Sequence, residues 1–322
     1  MRTWVYTAIA LAAISLAVAC GSPGGSPTGT PTSPPGAFAG SYSGILAASE
    51  FVVGENRFPF GLASRDGELL EEATVQVRFY SWEEEDAEPQ LRATADAVWR
   101  SVGGSEEGHE EIGEEGALHL HIRGAYVVSE VQFDRPGVWI AEFDVATPSG
   151  PQPRTEGATF EVKEQSGAPG IGQPVPATDN LTIHDVESFS EISTRPVEDD
   201  MHNVSVAQAV EAGEPFVVVF SSPAFCISAI CGPVTDEVAS VHEQFAEQME
   251  FIHIEPWDLA TARNEGRHTP GAEMLEWRLP SEPWTFVVDG NGRVATRFEG
   301  LVTAEELTPA VEAVLAGSSP TG

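Results

Sequence analysis

The sequence predicts two folded units of different class, an all-β sandwich followed by an α/β unit. Three observations lead there. Residues 38–165 hold short alternating or aromatic runs separated by turn residues, the pattern of half-buried strands. From Gly170 onward, apolar runs of strand length alternate with stretches of helical period. Between the two, "SGAPGIGQPVP" (Ser166 to Pro176) is rich in Pro and Gly and reads as a boundary. The plan is a leader at 1–19, a tether at 20–37, a sandwich at 38–165, a linker at 166–176, an α/β unit at 177–317 and a tail at 318–322. Roughly 300 residues after removal of a leader suit two cores better than one.

Arg2 followed by the apolar run Trp4 to Ala19 reads as a bacterial export signal, too short for a comfortable membrane span. Ala17-Val18-Ala19-Cys20 resembles a lipoprotein box, although the usual Leu stands one place early, at Leu16. That resemblance implies lipidation of Cys20 and a protein anchored to the cell membrane on its extracytoplasmic side; ordinary secretion is the alternative. Gly21 to Gly36 contains only Gly, Ser, Pro and Thr, a tether unable to bury a core. With Cys20 taken by lipid, Cys226 and Cys231 are the remaining thiols, in a compartment where disulfides persist.

The net charge is −34 at pH 7. Phe38 to Gln165 carries 25 acidic against nine basic residues, and Ser166 onward 25 against six. Both halves are therefore acidic, which excludes nucleic acid as a partner and leaves the lipid anchor as the only membrane attachment.

In the first unit, strands are expected at Glu50 to Val53, Arg57 to Leu62, Thr74 to Trp82, Leu118 to Ile122, Ala125 to Phe133, Val138 to Val145 and Thr159 to Val162. About seven such runs favour an immunoglobulin-like sandwich, and "DRPGVWIAEFDV" resembles the tight turn and late strand of bacterial Ig-like modules. "EEEDAE" (Glu83 to Glu88) and "EEGHEEIGEE" (Glu106 to Glu115) read as solvated loops, lacking calcium-loop spacing. His119 and His121 share a strand face within reach of His109, but no metal site is assigned to them.

In the second unit, Val204 to Ala212 is helical and "PFVVVF" (Pro215 to Phe220) is a strand buried on both faces. A helix follows, with Val234, Val238, Val241, Phe245 and Met249 at helical spacing. "MEFIHIEPW" is a second strand, Gly271 to Leu279 a helix, and "WTFVVDGNGRVATRFEG" a hairpin turning at Asp289-Gly290-Asn291-Gly292. "TAEELTPAVEAVLAG" ends the unit as a helix with Thr303 and Glu306 in capping-box positions.

This order, with "VVVFSSPAFC" after the first helix, "SEPWTFVVDGNG" before the hairpin and the redoxin-like opening "GIGQPVPATDNLTI" at the start, resembles the thioredoxin-like superfamily, whose membrane-tethered members include TlpA/ResA-type oxidoreductases, Sco-type copper chaperones and peroxiredoxins. The resemblance implies a thioredoxin-like fold, a redox role for Cys226 and Cys231, and a cis-proline at Pro283 that holds the partner chain extended. The spacing departs from the family. A Cys-x-x-Cys pair would place its second cysteine at Ala229, and the Sco pattern at Ile230. The four-residue gap matches one class of peroxiredoxin, but the threonine that orients peroxide there is Pro223 here.

Two cysteines five positions apart lie about 140° apart around an unbroken helix, so the helix cannot run through both if they bond. Pro233, welcome in a first helical turn, suggests a helix beginning nearby. In one register Cys231 lies at the helix N-terminus, where a thiolate is stabilised; in the other, preferred on its distance from Phe220, Cys226 is the exposed nucleophile and Cys231 the resolver.

The leading expectation is a tethered thiol/disulfide oxidoreductase without cofactor or metal, acting on envelope protein thiols or disulfides. The alternatives are a non-enzymatic envelope scaffold with Cys226–Cys231 as a staple, and a copper-handling protein using both thiolates with His253 or His268. A bond closing so short a loop is a poor entropic stabiliser, which disfavours the staple.

Overall fold

The computed structural model describes residues 42–317, apart from 65, 72, 84–87, 104–122 and 153–156. Cys20, the leader, the tether, the strand expected at Leu118 to Ile122, the three histidines His109, His119 and His121, and most of both acidic runs lie outside the described residues. Among the described residues, no helix is long and apolar enough to cross a membrane.

Among the described residues, nine strands build the amino-terminal part: β1 (Tyr42–Leu46), β2 (Phe51–Val52), β3 (Gly54–Ser64), β4 (Thr74–Trp82), β5 (Gln90–Ser101), β6 (Gly124–Phe133), β7 (Gly137–Thr147), β8 (Gly150–Pro151) and β9 (Ala158–Lys163). They pair in the order β1-β3-β6-β5-β4-β7-β9-β2, with β8 on β7. The pairs are antiparallel except β2 with β9, which is parallel. The path folds into two layers because β5 changes partner midway. Residues 90–97 pair with β4 and residues 98–101 pair with β6.

Inward residues alternate along each strand and close one core of Phe58, Phe60, Phe79, Tyr126, Phe133, Trp139, Phe143 and Phe160 among others. Phe58 meets Phe79 across the layers, edge to face, at 4.9 Å between ring centroids, a geometry favoured by the ring quadrupoles.

Strands β1 and β5, with the two-residue β8, are additions to the sequence-based expectation. The inward residues of β5 are mostly small, with Ala93, Ala95 and Ala97 packing beneath the aromatic cluster, and alanine is depleted in strands. Its alternation therefore lacks amplitude, and only the partners on both sides reveal it.

The carboxy-terminal part is a four-stranded sheet in the order β11-β10-β12-β13, made of β10 (Phe216–Phe220), β11 (Glu250–Ile254), β12 (Trp284–Val288) and β13 (Val294–Glu299). β10 and β11 are parallel, while β12 is antiparallel to both β10 and β13. Helices cover both faces: α1 (Val206–Ala212), α2 (Cys231–Phe245), α3 (Leu259–Glu265), α4 (Ala272–Glu276) and α5 (Ala304–Leu315).

The unbroken apolar run of β10 divides between two cores. Phe216, Val218 and Phe220 face α1, α4 and the three tryptophans Trp257, Trp277 and Trp284. Val217 and Val219 face the valine stripe of α2 (Val234, Val238, Val241) and the apolar face of α5. Burial on both faces is why no polar residue interrupts the strand. The segment before α1 lies along the open edge of β13, exchanging hydrogen bonds between Gly172, Gln173 and Val294, so that edge is not left free.

The expected capping box of α5 does not form. The Thr303 side chain accepts no helix N–H, and Glu306 turns instead to Arg57 of β3, with contacts of 3.0 and 3.1 Å. A two-pronged guanidinium–carboxylate pair is stronger than a neutral cap bond. Glu237 of α2 takes over the end of α5, accepting the Ala304 N–H at 2.6 Å.

Candidate functional site

Strand β10 ends at Phe220, and ten residues of loop lead to α2. Cys226 and Cys231 are joined by a disulfide with their α-carbons 5.8 Å apart. As the spacing requires, residues 226–230 are not helical. Helix α2 begins at Cys231, two residues earlier than Pro233 suggested. Pro233 becomes the third helical residue, where no intrahelical N–H is needed.

Ile230, at the N-cap, offers no side-chain acceptor. The sulfur of Cys226 fills that role: the Cys231 N–H donates to Cys226 Sγ at 3.1 Å. Cys226 is partly exposed while Cys231 is 0 % exposed. The helix terminus thus addresses the accessible sulfur, and the two registers left open by the sequence merge into one arrangement.

Ala229, where a Cys-x-x-Cys pair would have its second cysteine, has φ of 61°, a left-handed conformation costly for any residue with a Cβ. Ala229→Gly should therefore stabilise the oxidised protein by up to about 1 kcal/mol, seen as a raised Tm with the disulfide intact. A lowered Tm would mean that the Ala229 methyl contributes packing.

The peptide bond between Glu282 and Pro283 is cis, and Glu282 is the residue that sequence reasoning missed as chemistry. Its side chain is buried, at 6 % exposure. Oε1 accepts the Ile227 N–H at 2.8 Å, and Oε2 touches Cys231 Sγ. A disulfide sulfur carries no hydrogen, so this second contact is a hydrogen bond only when the carboxyl keeps its proton and donates it.

Burial pushes the Glu282 carboxyl up to about 7, with nearby Glu255 adding to the effect and the Ile227 N–H opposing it. The sequence did hold a signal, an acid directly before the expected cis-proline. Asp236, five residues after Cys231 in α2, is exposed and lies 3.5 Å from Arg195.

Behind the loop lies a chain of buried polar groups. His253 Nε2 lies 2.9 Å from the carbonyl of Ser221 and must donate to it, so Nδ1 accepts from His202 Nε2 at 3.0 Å. His202 Nδ1 in turn faces Asp199 Oδ1 at 3.2 Å. Burial, helped by His202, lowers His253 to about 3, so it stays neutral.

Ser221 also meets Thr235, which donates to the Cys231 carbonyl at 2.6 Å. His253 is therefore an interior histidine with both nitrogens engaged, and His268 is exposed against Trp257. Among the described residues, the ligand-type group that joins the two sulfurs is Glu282, and neither histidine does.

A sheet between two helical layers, a cysteine pair following its first strand and a cis-proline opening its hairpin define a thioredoxin-like domain. A stretch of 51 residues is 43% identical to thiol:disulfide interchange protein HelX of Rhodobacter capsulatus, covering 16% of this chain and 29% of that protein. The chain thus spans less than a third of the length of that relative. Among solved structures, a thiol:disulfide interchange protein of the thioredoxin family from Chlorobium tepidum TLS matches at 17% identity and a TM-score of 0.29, over 46% of this chain and 99% of that one. No protein-family model matches the chain.

Proposed function

We propose that the chain is a thiol/disulfide oxidoreductase of the cell envelope, tethered through lipidated Cys20, with Cys226–Cys231 as its redox pair and an immunoglobulin-like amino-terminal domain. The observation that carries the redox reading is the asymmetry of the pair: one accessible sulfur at a helix terminus, one buried sulfur against an acid. The similarity to HelX supports the same class of chemistry. The layered strand order of residues 42–163, with parallel β2 and β9 at its edge, supports the immunoglobulin-like assignment.

In the oxidised form, a partner thiolate attacks Cys226 Sγ, the S–S bond breaks, and Cys231 leaves as a thiolate that takes the proton of Glu282. A second partner thiolate then attacks the partner's own sulfur in the mixed disulfide and releases the Cys226 thiolate. The partner loses two electrons and two protons, and the pair gains them, with solvent reprotonating the carboxylate. The reverse sequence reduces a partner disulfide, with Glu282 accepting the proton of Cys231 as it attacks. Pro283 holds the partner chain beside the sulfurs.

The test is a redox titration of the full chain in glutathione buffers, counting alkylated thiols by mass. Reversible exposure of two thiols at a mild potential is the expected result. A bond that opens only under strong reductant with denaturant would make it a staple and the protein a scaffold.

A further inference from the structure

Two points of the redox loop are held from outside the thioredoxin-like domain. Ile230, the residue before Cys231, is 5 % exposed and closes a small core with Leu301 and with Val102 and Ala125 of the β-sandwich region. Beside it, Gly103 donates its N–H to Glu237 of α2 at 2.8 Å, so the first turns of the redox helix are tied to the end of β5.

The second point is Glu299, at the end of β13. Its carboxylate accepts the N–H groups of Ser49 and Glu50 from the β1–β2 loop, at 2.7 and 3.0 Å, and the Ser49 hydroxyl at 2.5 Å, the bond that a change to alanine removes. The same carboxylate accepts the hydroxyl of Ser281 at 2.6 Å, and Ser281 precedes Glu282. Next to it Gly300 donates to the Pro283 carbonyl at 2.9 Å. With φ of 76°, Gly300 packs so closely that an added Cβ would lie 2.2 Å from the Ala47 carbonyl oxygen. Arg57 and Arg100 complete this seam with ion pairs to Glu306 and Glu305 at 3.0 and 2.6 Å.

We propose that the β-sandwich is a working part of the redox site: Val102 and Ala125, through Ile230, and Ser49 and Glu50, through Glu299 and Ser281, position the cysteine loop and the Glu282–Pro283 segment against each other. Neither set touches a sulfur, so these are positioning residues. Their removal loosens the alignment of the Cys231 N–H with Cys226 Sγ and of Glu282 with Cys231. The inference rests on the redox reading of Cys226–Cys231 but is separable from it, because thiol reactivity can be read after chemical reduction whether or not any partner is exchanged.

The experiment uses the full chain reduced with a phosphine, and compares Val102→Ala and the double variant Val102→Ala/Ser49→Ala with Val77→Ala, which thins the sandwich core away from the seam. A helix-terminus interaction of this kind shifts an equilibrium by roughly threefold. The seam variants should therefore slow Cys226 alkylation at pH 7 about threefold, and should move the glutathione equilibrium of the pair, while Val102→Ile restores both. Val77→Ala should lower Tm and change neither. Equal alkylation rates and equilibria in all variants, with folding verified by circular dichroism, would overturn the inference. A wild-type bond that resists glutathione while alkylation still responds to the seam would instead overturn the redox reading and leave the positioning role standing.

Discussion

On the proposed redox reading, Cys226→Ser should abolish disulfide exchange, by at least on the order of a thousandfold, because the accessible sulfur is the one a partner can reach. Cys231→Ser has a different outcome: Cys226 can still attack a partner disulfide, but nothing resolves the product, so a mixed disulfide accumulates. Mass spectrometry of each variant after incubation with a disulfide reporter distinguishes them. Covalent adducts on Cys226→Ser rather than on Cys231→Ser would reverse the assignment of the two sulfurs. Cys231, 0 % exposed and packed at the start of α2, would need the loop to open before it could meet a partner.

Glu282→Gln produces two effects, one kinetic and one on stability. Glutamine cannot supply or take the proton at Cys231, and loss of a positioned acid of this kind slows exchange by about a hundredfold. The stability effect follows from proton linkage. In the folded, oxidised protein the carboxyl is raised to about 7 from its usual 4.5, so between these pH values the folded state holds a proton that the unfolded chain has lost. Stability from this group is present at low pH and falls as pH rises through that window, by about 3 kcal/mol in total.

His253 runs the other way. Lowered to about 3 from 6.5, it leaves the folded state with fewer protons than the unfolded chain between those values, so stability falls as pH falls. In the wild type the two slopes oppose each other between pH 4.5 and 6.5. Glu282→Gln removes one of them, so the variant should become steeply acid-labile below pH 6.5 and insensitive to this window's upper end near 7. Urea denaturation of the oxidised variant from pH 4.5 to 7.5 measures it; a profile parallel to wild type would mean that Glu282 is ionised in the folded protein.

Much of the carboxy-terminal fold is legible in local pattern. The apolar run of β10 marks a strand buried on both faces, the valines of α2 mark one stripe, and Asp289-Gly290-Asn291-Gly292 marks a hairpin, because each is an interaction between near neighbours or a direct demand on backbone angles. The cysteine segment was half legible: five-residue spacing excludes a continuous helix, yet it does not say which sulfur the helix terminus faces. Strand β5 was invisible because alanine-rich alternation carries little hydrophobic contrast, and its identity rests on pairing with β4 on one side and β6 on the other. The capping box failed for a related reason, since Arg57, 249 residues from Glu306, offers a charged partner that no local motif can announce.

By itself the sequence determined most of the carboxy-terminal elements and many of the amino-terminal strands, the acidic character of both halves, the need for a loop between Cys226 and Cys231 if they bond, and the place of Pro283 before the hairpin. These depend on periodicity, composition and steric rules that act within a few residues. Only the tertiary structure decided that Cys226 is reachable and Cys231 is not, that burial raises the Glu282 carboxyl beside the buried sulfur, and that Val102, Ser49 and Glu50 reach across to Ile230 and Glu299. Burial, desolvation and the meeting of residues far apart in the chain exist only once the chain has folded, and they set the chemistry of this site.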